Sequence, residues 1–143
     1  FSKKIYFKTV IAPQVTCPLR YKDSLKNALL KYQKESFDSL FSAVKYSPHT
    51  FKWQVNKVSL NPINYDPLKK RKLRQEHPES SFIRENGSFF IFDAKGFIQN
   101  KNRLFGKIGY YLQDKIESID IDDPEDWFIV ESILKSNKKK FIY

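Results

Sequence analysis

From Glu117 to Trp127 the pattern of apolar residues changes period, and that change limits what this chain can fold into. Apolar and acidic residues alternate from Ser118 to Asp122, the period-two pattern of a half-buried strand. Ile119 and Ile121 therefore share one face, and Asp120 and Asp122 share the other, roughly 7 Å apart at the usual rise of a strand. From Asp123 the period becomes helical. Asp123 suits an N-cap, Pro124 the first helical position, and Glu125 and Asp126 complement the helix dipole. Trp127, Val130 and Leu134 then recur at helical spacing, with Ile133 beside them. The expected architecture is a strand that delivers two carboxylates to a sheet edge and turns at once into a capped helix.

Asp123, Glu125 and Asp126 are explained as cap and first-turn charges. Asp120 and Asp122 are not, because acidic residues are depleted in strands. The pattern by itself leaves two readings open for them, a solvated strand face or a pair of metal ligands. Three further stretches bear on the choice. They are Gln14-Val15-Thr16-Cys17-Pro18-Leu19-Arg20, Arg74-Gln75 with Pro78, and Arg84-Glu85-Asn86-Gly87-Ser88-Phe89-Phe90-Ile91. Together with Ser118 to Asp122, Trp127 and Glu131, and in the same order, they resemble the signatures of the CMP-sialic acid synthetases, the acylneuraminate cytidylyltransferases.

That resemblance implies a reaction and a site. The reaction joins a nine-carbon 2-keto acid sugar, sialic acid or a relative such as legionaminic or pseudaminic acid, to the α-phosphate of CTP and releases pyrophosphate. By resemblance Asp120 and Asp122 are the catalytic carboxylates and the ligands of Mg²⁺, an ion typically held by one or two carboxylates plus water and phosphate. Gln14 matches a glutamine that contacts the sugar, Arg74 an arginine that meets the sugar acid, and Asn86 the asparagine of an Asn-Gly pair. Phe90 stands where a tyrosine is frequent, and Phe105 matches one of two phenylalanines against the N-acyl group. Lys52 matches a lysine near that pocket, and Cys17 replaces a serine. Plain turn chemistry at Asn86 and a solvated basic run around Arg74 are the competing explanations of those two.

The Gly- and Lys-rich loop that cradles the CTP phosphates in this family has no counterpart here. The four glycines, at 87, 96, 106 and 109, are not arranged that way. The chain also contains no methionine and opens on Phe1, so it is expected to be a fragment or a processed chain, with the sugar and metal half of the domain present.

Elsewhere the reading is of core packing. Phe7 to Gln14 forms a buried strand, and Pro18 holds the following loop out of helix. Asp23 or Ser24 caps a helix with the stripe Leu25, Ala28, Leu29, Tyr32. Leu40 to Lys45 and Phe51 to Val58 read as strands, Asn86-Gly87 as a turn, and Ser88 to Phe92 as a central strand apolar on both faces. Ala94 to Ile98 reads as a short helix and Lys107 to Leu112 as a strand. Asn61 to Arg84 is a basic, proline-containing excursion, and by resemblance a dimerisation element, so a homodimer is expected.

The fold class expected for residues 1–143 is a single α/β domain, a Rossmann-like nucleotidyltransferase fold with a mainly parallel sheet truncated at the N-terminus. A net charge of +10 suits phosphorylated or carboxylated ligands, but also nucleic acid. The alternative readings are a basic nucleic-acid-binding module built on Lys69 to Arg74, or a non-catalytic remnant of the fold. Most of the aromatics lie inside apolar strands, which disfavours base stacking. A single cysteine excludes an internal disulfide and fits a cytoplasmic location, and no apolar run is long enough to span a membrane.

Overall fold

A computed structural model describes residues 7–46, 52–55, 57, 59–70, 73, 76, 82–137, 140 and 141. Contacts divide the chain into two units, one formed by Phe1–Val44 with Arg84–Tyr143 and one by Lys45–Ile83. The first holds a four-stranded sheet ordered β1 (Thr9–Pro13), β5 (Ile83–Asp93), β2 (Ser39–Lys45), β6 (Ile108–Gln113). As its two-sided apolar pattern requires, β5 lies inside the sheet.

The direction of β5 departs from the sequence expectation. It pairs antiparallel with β1, Pro13 facing Phe89 and Thr9 facing Asp93. Where β5 ends, the Asp93 amide donates to the Asp38 carbonyl just ahead of β2, so this pairing is antiparallel too. Only β2 and β6 are parallel, from Ser39 opposite Ile108 to Val44 opposite Gln113. The sheet is therefore mixed, with mostly antiparallel pairing, and not mainly parallel. Three strands run one way, and a reversed strand between them makes two of the three pairings antiparallel.

Helix α1 (Ser24–Lys34) lays its predicted stripe on one sheet face. Ala28 and Tyr32 pack there with Leu40, Phe89 and Ile91, and Leu25, Leu29 and Tyr111 close the edges. After β5 the chain enters α2 (Ala94–Asn100) at once, because the Asp93 side chain accepts from the Gly96 amide at 2.8 Å and caps it. Gly96 is required there for space: a Cβ would lie 2.2 Å from the Phe105 ring.

Asn86-Gly87 is not a hairpin turn. Both residues lie inside β5, with Gly87 at φ +71°. The Asn86 Oδ1 still accepts from the Ser88 amide at 3.3 Å, so the local turn chemistry operates as a kink within a strand.

The acidic stretch is not a strand either. Lys115–Ser118 forms a 3₁₀ helix, and residues 119–123 run on to α3 (Pro124–Asn137) without joining the sheet. The predicted facing survives without the ladder. Ile119 and Ile121 pack toward Leu19, Val130 and Phe141, and the Ile121 amide donates to the Thr16 carbonyl at 2.8 Å. Caps at both ends hold the segment. Of the predicted α3 stripe, Val130 is buried and Ile133 and Leu134 are partly buried, but Trp127 stays 61% exposed.

The second unit contains a two-stranded antiparallel sheet, β3 (Trp53–Val55) with β4 (Leu60–Pro62). It begins at Lys45, well before the excursion expected from Asn61. Val55, Leu60, Ile63, Leu68 and Leu73 are all exposed there.

Candidate functional site

The three co-directional strands end at the same edge, and the residues that follow them build the site. The Gln14 amide, just past β1, donates to the Ser88 carbonyl at 2.9 Å. The loop it opens is tied back by Arg20, whose guanidinium donates to the carbonyls of Gln14 (3.0 Å), Cys17 and Ser88 (3.4 Å). One arginine thus joins the carbonyls of Gln14 and Cys17, which no helix or strand holds, to that of Ser88 in β5. At the far end of the acidic stretch, the Asp123 side chain accepts from the Asp126 amide at 3.0 Å. The Asp126 carboxylate in turn accepts from the amides of Asp122 (3.1 Å) and Asp123 (3.3 Å). This reciprocal box caps α3 and fixes the backbone that carries Asp122.

Arg84, Glu85, Asn86, Gly87, Ser118, Asp120 and Asp122 line one open cavity of about 390 Å³. Three carboxylates and one guanidinium line it, a net negative set. Among the described residues no group of three or more His, Cys, Asp or Glu side chains is gathered for a metal. Two neighbouring aspartates beside open solvent are the donor set that suits Mg²⁺, which keeps several waters, better than Zn²⁺ or Ca²⁺, which take more protein ligands.

Behind this wall lies Cys17, fully buried, its Sγ 3.4 Å from Asp120 Oδ1 and 3.7 Å from the Asn86 carbonyl. Burial, and then the Asp120 charge beside it, push the thiol up to about 12, so it stays protonated and can donate to the aspartate.

Asp120, Asp122 and Asn86 are brought together, with Gln14 bonded to the strand beside them. Phe90 and Phe105 are not placed with them. Phe90 faces Ala12 in the sheet, its ring buried under the Arg103 guanidinium at 4.2 Å. Phe105 exchanges hydrogen bonds with Ser39 at the start of β2, the opposite end of the sheet from the cavity. Lys52 is exposed in the second unit, where its amide donates to Asn64 Oδ1 at 2.8 Å. Arg74, like Gln75 and Pro78, lies outside the described residues. Sequence reasoning missed Arg20, Gln113 and Glu117 as parts of the site. Glu117 stands just ahead of the segment read as a strand, and nothing in the local spacing marks any of the three.

No family model matches the chain. Curated relatives do. N-acylneuraminate cytidylyltransferase of Oncorhynchus mykiss is 34% identical over 122 residues, covering 82% of this chain and 27% of that protein. N-acylneuraminate cytidylyltransferase A of Danio rerio is 35% identical with the same coverage. CMP-N,N'-diacetyllegionaminic acid synthase of Legionella pneumophila is 28% identical, covering 96% of this chain and 59% of the bacterial protein. The chain belongs to the CMP-sialic acid synthetase family. It spans about a quarter of the length of these fish relatives. Against the legionaminic acid synthase it spans more than half. Among the described residues no helix is long and apolar enough to cross a membrane.

Proposed function

We propose that this chain carries the sugar-acid and metal half of a cytidylyltransferase that transfers CMP from CTP to a sialic-type nonulosonic acid. The observation that carries this reading is the cavity in which Asp120 and Asp122 meet Asn86, from segments far apart in sequence, at the carboxyl edge of the co-directional strands. Ligands bind at that edge in open α/β sheets.

In this reading Asp120 and Asp122 hold Mg²⁺. The ion, when bound, supplies charge neutralisation on the triphosphate. Asn86 and Gln14 orient the sugar so that its anomeric hydroxyl meets the α-phosphate in line, and positioning is most of what such a transfer requires. By resemblance Arg74 is assigned to the sugar acid and Lys52 to the neighbourhood of its N-acyl group, while Phe90 is buried in the sheet and Phe105 lies at its far end, so neither has a role at this cavity. The Arg20 clamp and the Asp123–Asp126 box each hold one of the two loops, and the Ile121 amide on the Thr16 carbonyl joins them.

Titration calorimetry with N-acetylneuraminate tests this half on its own. Binding that strengthens when Mg²⁺ is added is expected, with CTP binding much more weakly because no Gly- and Lys-rich loop is present in the sequence. Steep, salt-sensitive binding of oligonucleotides in place of the sugar would favour the nucleic-acid reading. The exposed apolar side chains of Lys45–Ile83 support a homodimer formed through that unit. Light scattering should then give about twice 17.0 kDa, and a monomer at high concentration would contradict it.

A further inference from the structure

Glu117 is 2% exposed and pairs with no cation among the described residues, yet it is thoroughly bonded. Its Oε1 accepts from the Tyr21 amide (3.0 Å), the Ser24 hydroxyl (2.5 Å) and Gln113 Nε2 (3.0 Å). Its Oε2 accepts from the Asp114 amide at 3.3 Å. Every partner donates, which only an acceptor side chain can satisfy.

The consequence runs along two amides. Gln113, itself buried, must turn its NH₂ toward Glu117, so its Oε1 faces away and accepts from Asn86 Nδ2 at 2.9 Å. Asn86, with its NH₂ committed there, must present Oδ1 on the other side, where it takes the Ser88 amide. We propose that Glu117 is a positioning residue, whose Oε1 fixes the amide orientation of Asn86 at the wall of the Asp120–Asp122 cavity through Gln113. The same oxygen anchors Tyr21 and Ser24, so one side chain ties the loop after β1, the Asn86 kink and the root of the acidic stretch together. The functional part of this inference rests on the sugar-acid reading of the cavity; the orientation itself does not.

The experiment separates the two. Hydrogen exchange of the Asn86 side-chain NH₂, followed by NMR, reports the orientation without any ligand. Glu117→Gln keeps an oxygen toward Tyr21, Ser24 and Gln113 and should leave protection unchanged. Glu117→Met removes the acceptor and should accelerate exchange about 10-fold, the scale of one misdirected buried hydrogen bond. Gln113→Leu breaks the relay while leaving Glu117 bonded to Tyr21 and Ser24, and should accelerate exchange equally. It decides the matter if Glu117→Met does not fold. Unchanged protection in Gln113→Leu, or equal loss in Glu117→Gln and Glu117→Met, would overturn the proposal. Affinity for N-acetylneuraminate with Mg²⁺ should follow the same order. If the wild-type chain does not bind that sugar acid, the cavity reading fails while the exchange data still judge Glu117.

Discussion

Replacing Asp120 or Asp122 by Asn should abolish most of the activity while the fold survives. Asn keeps the size and one acceptor oxygen, so Asp120→Asn can still receive the Cys17 thiol, and the change of stability should stay within about 0.5 kcal/mol. What is lost is one negative charge from the cavity wall. In a version of the protein that turns over CTP, pyrophosphate release should fall at least about 10²-fold, the scale of losing one electrostatic contact to a transition state. Added Mg²⁺ should restore part of it. Asp126→Asn should behave in the opposite way, because its carboxylate serves the amides of Asp122 and Asp123 and not the cavity. It should cost a few tenths of a kcal/mol and little rate. Equal losses from all three would mean that the acids act only through the backbone. No loss from Asp120 and Asp122 would make them a solvated surface.

The largest effect on stability is expected from Phe89→Ala. Phe89 is fully buried in the middle strand, between α1 and the rest of the sheet, with its ring centroid 6.0 Å from that of Tyr111. Truncating such a ring costs about 3–5 kcal/mol, a large share of the 5–15 kcal/mol that holds an ordinary domain together. Urea unfolding should show the midpoint collapse. Val15→Ala, at a 90% exposed position near the cavity, should barely move it. A small effect at Phe89 would mean that β5 does not organise the core.

The central place of β5 was legible because Ser88 to Phe92 is apolar on both faces, and only a strand covered on both sides tolerates that. Its direction was not. Alternating helices and strands suggest parallel pairing, but the chain leaves β2 through the Lys45–Ile83 unit, with no crossover α-helix among its described residues, and returns antiparallel. Similarly, the Ile119–Ile121 alternation turned both isoleucines toward the Leu19, Val130 and Phe141 core but misidentified the backbone, and Asp120 between them is half-buried too. Period two records which side faces a core, and an extended segment without a ladder satisfies it equally well.

Asp120, Asp122 and Asn86, singled out by resemblance where the local pattern had left other readings open, line one cavity. Phe105 matched the resemblance, yet it sits against Gly96 and Ser39 at the far end of the sheet. The buried link from Asn86 through Gln113 to Glu117 and Ser24 could not be read at all. It joins residues up to 93 positions apart, and each of them is unremarkable in its own segment.

Paramagnetic titration with Mn²⁺ as a stand-in for Mg²⁺ tests the central claim most directly. Backbone resonances of Ser118, Asp120, Asp122, Asn86 and Gly87 are expected to broaden first, at substoichiometric metal, and Asp120→Asn should remove the effect. Broadening that begins at exposed acids such as Asp66 or Glu131, with the cavity residues unaffected, would contradict it.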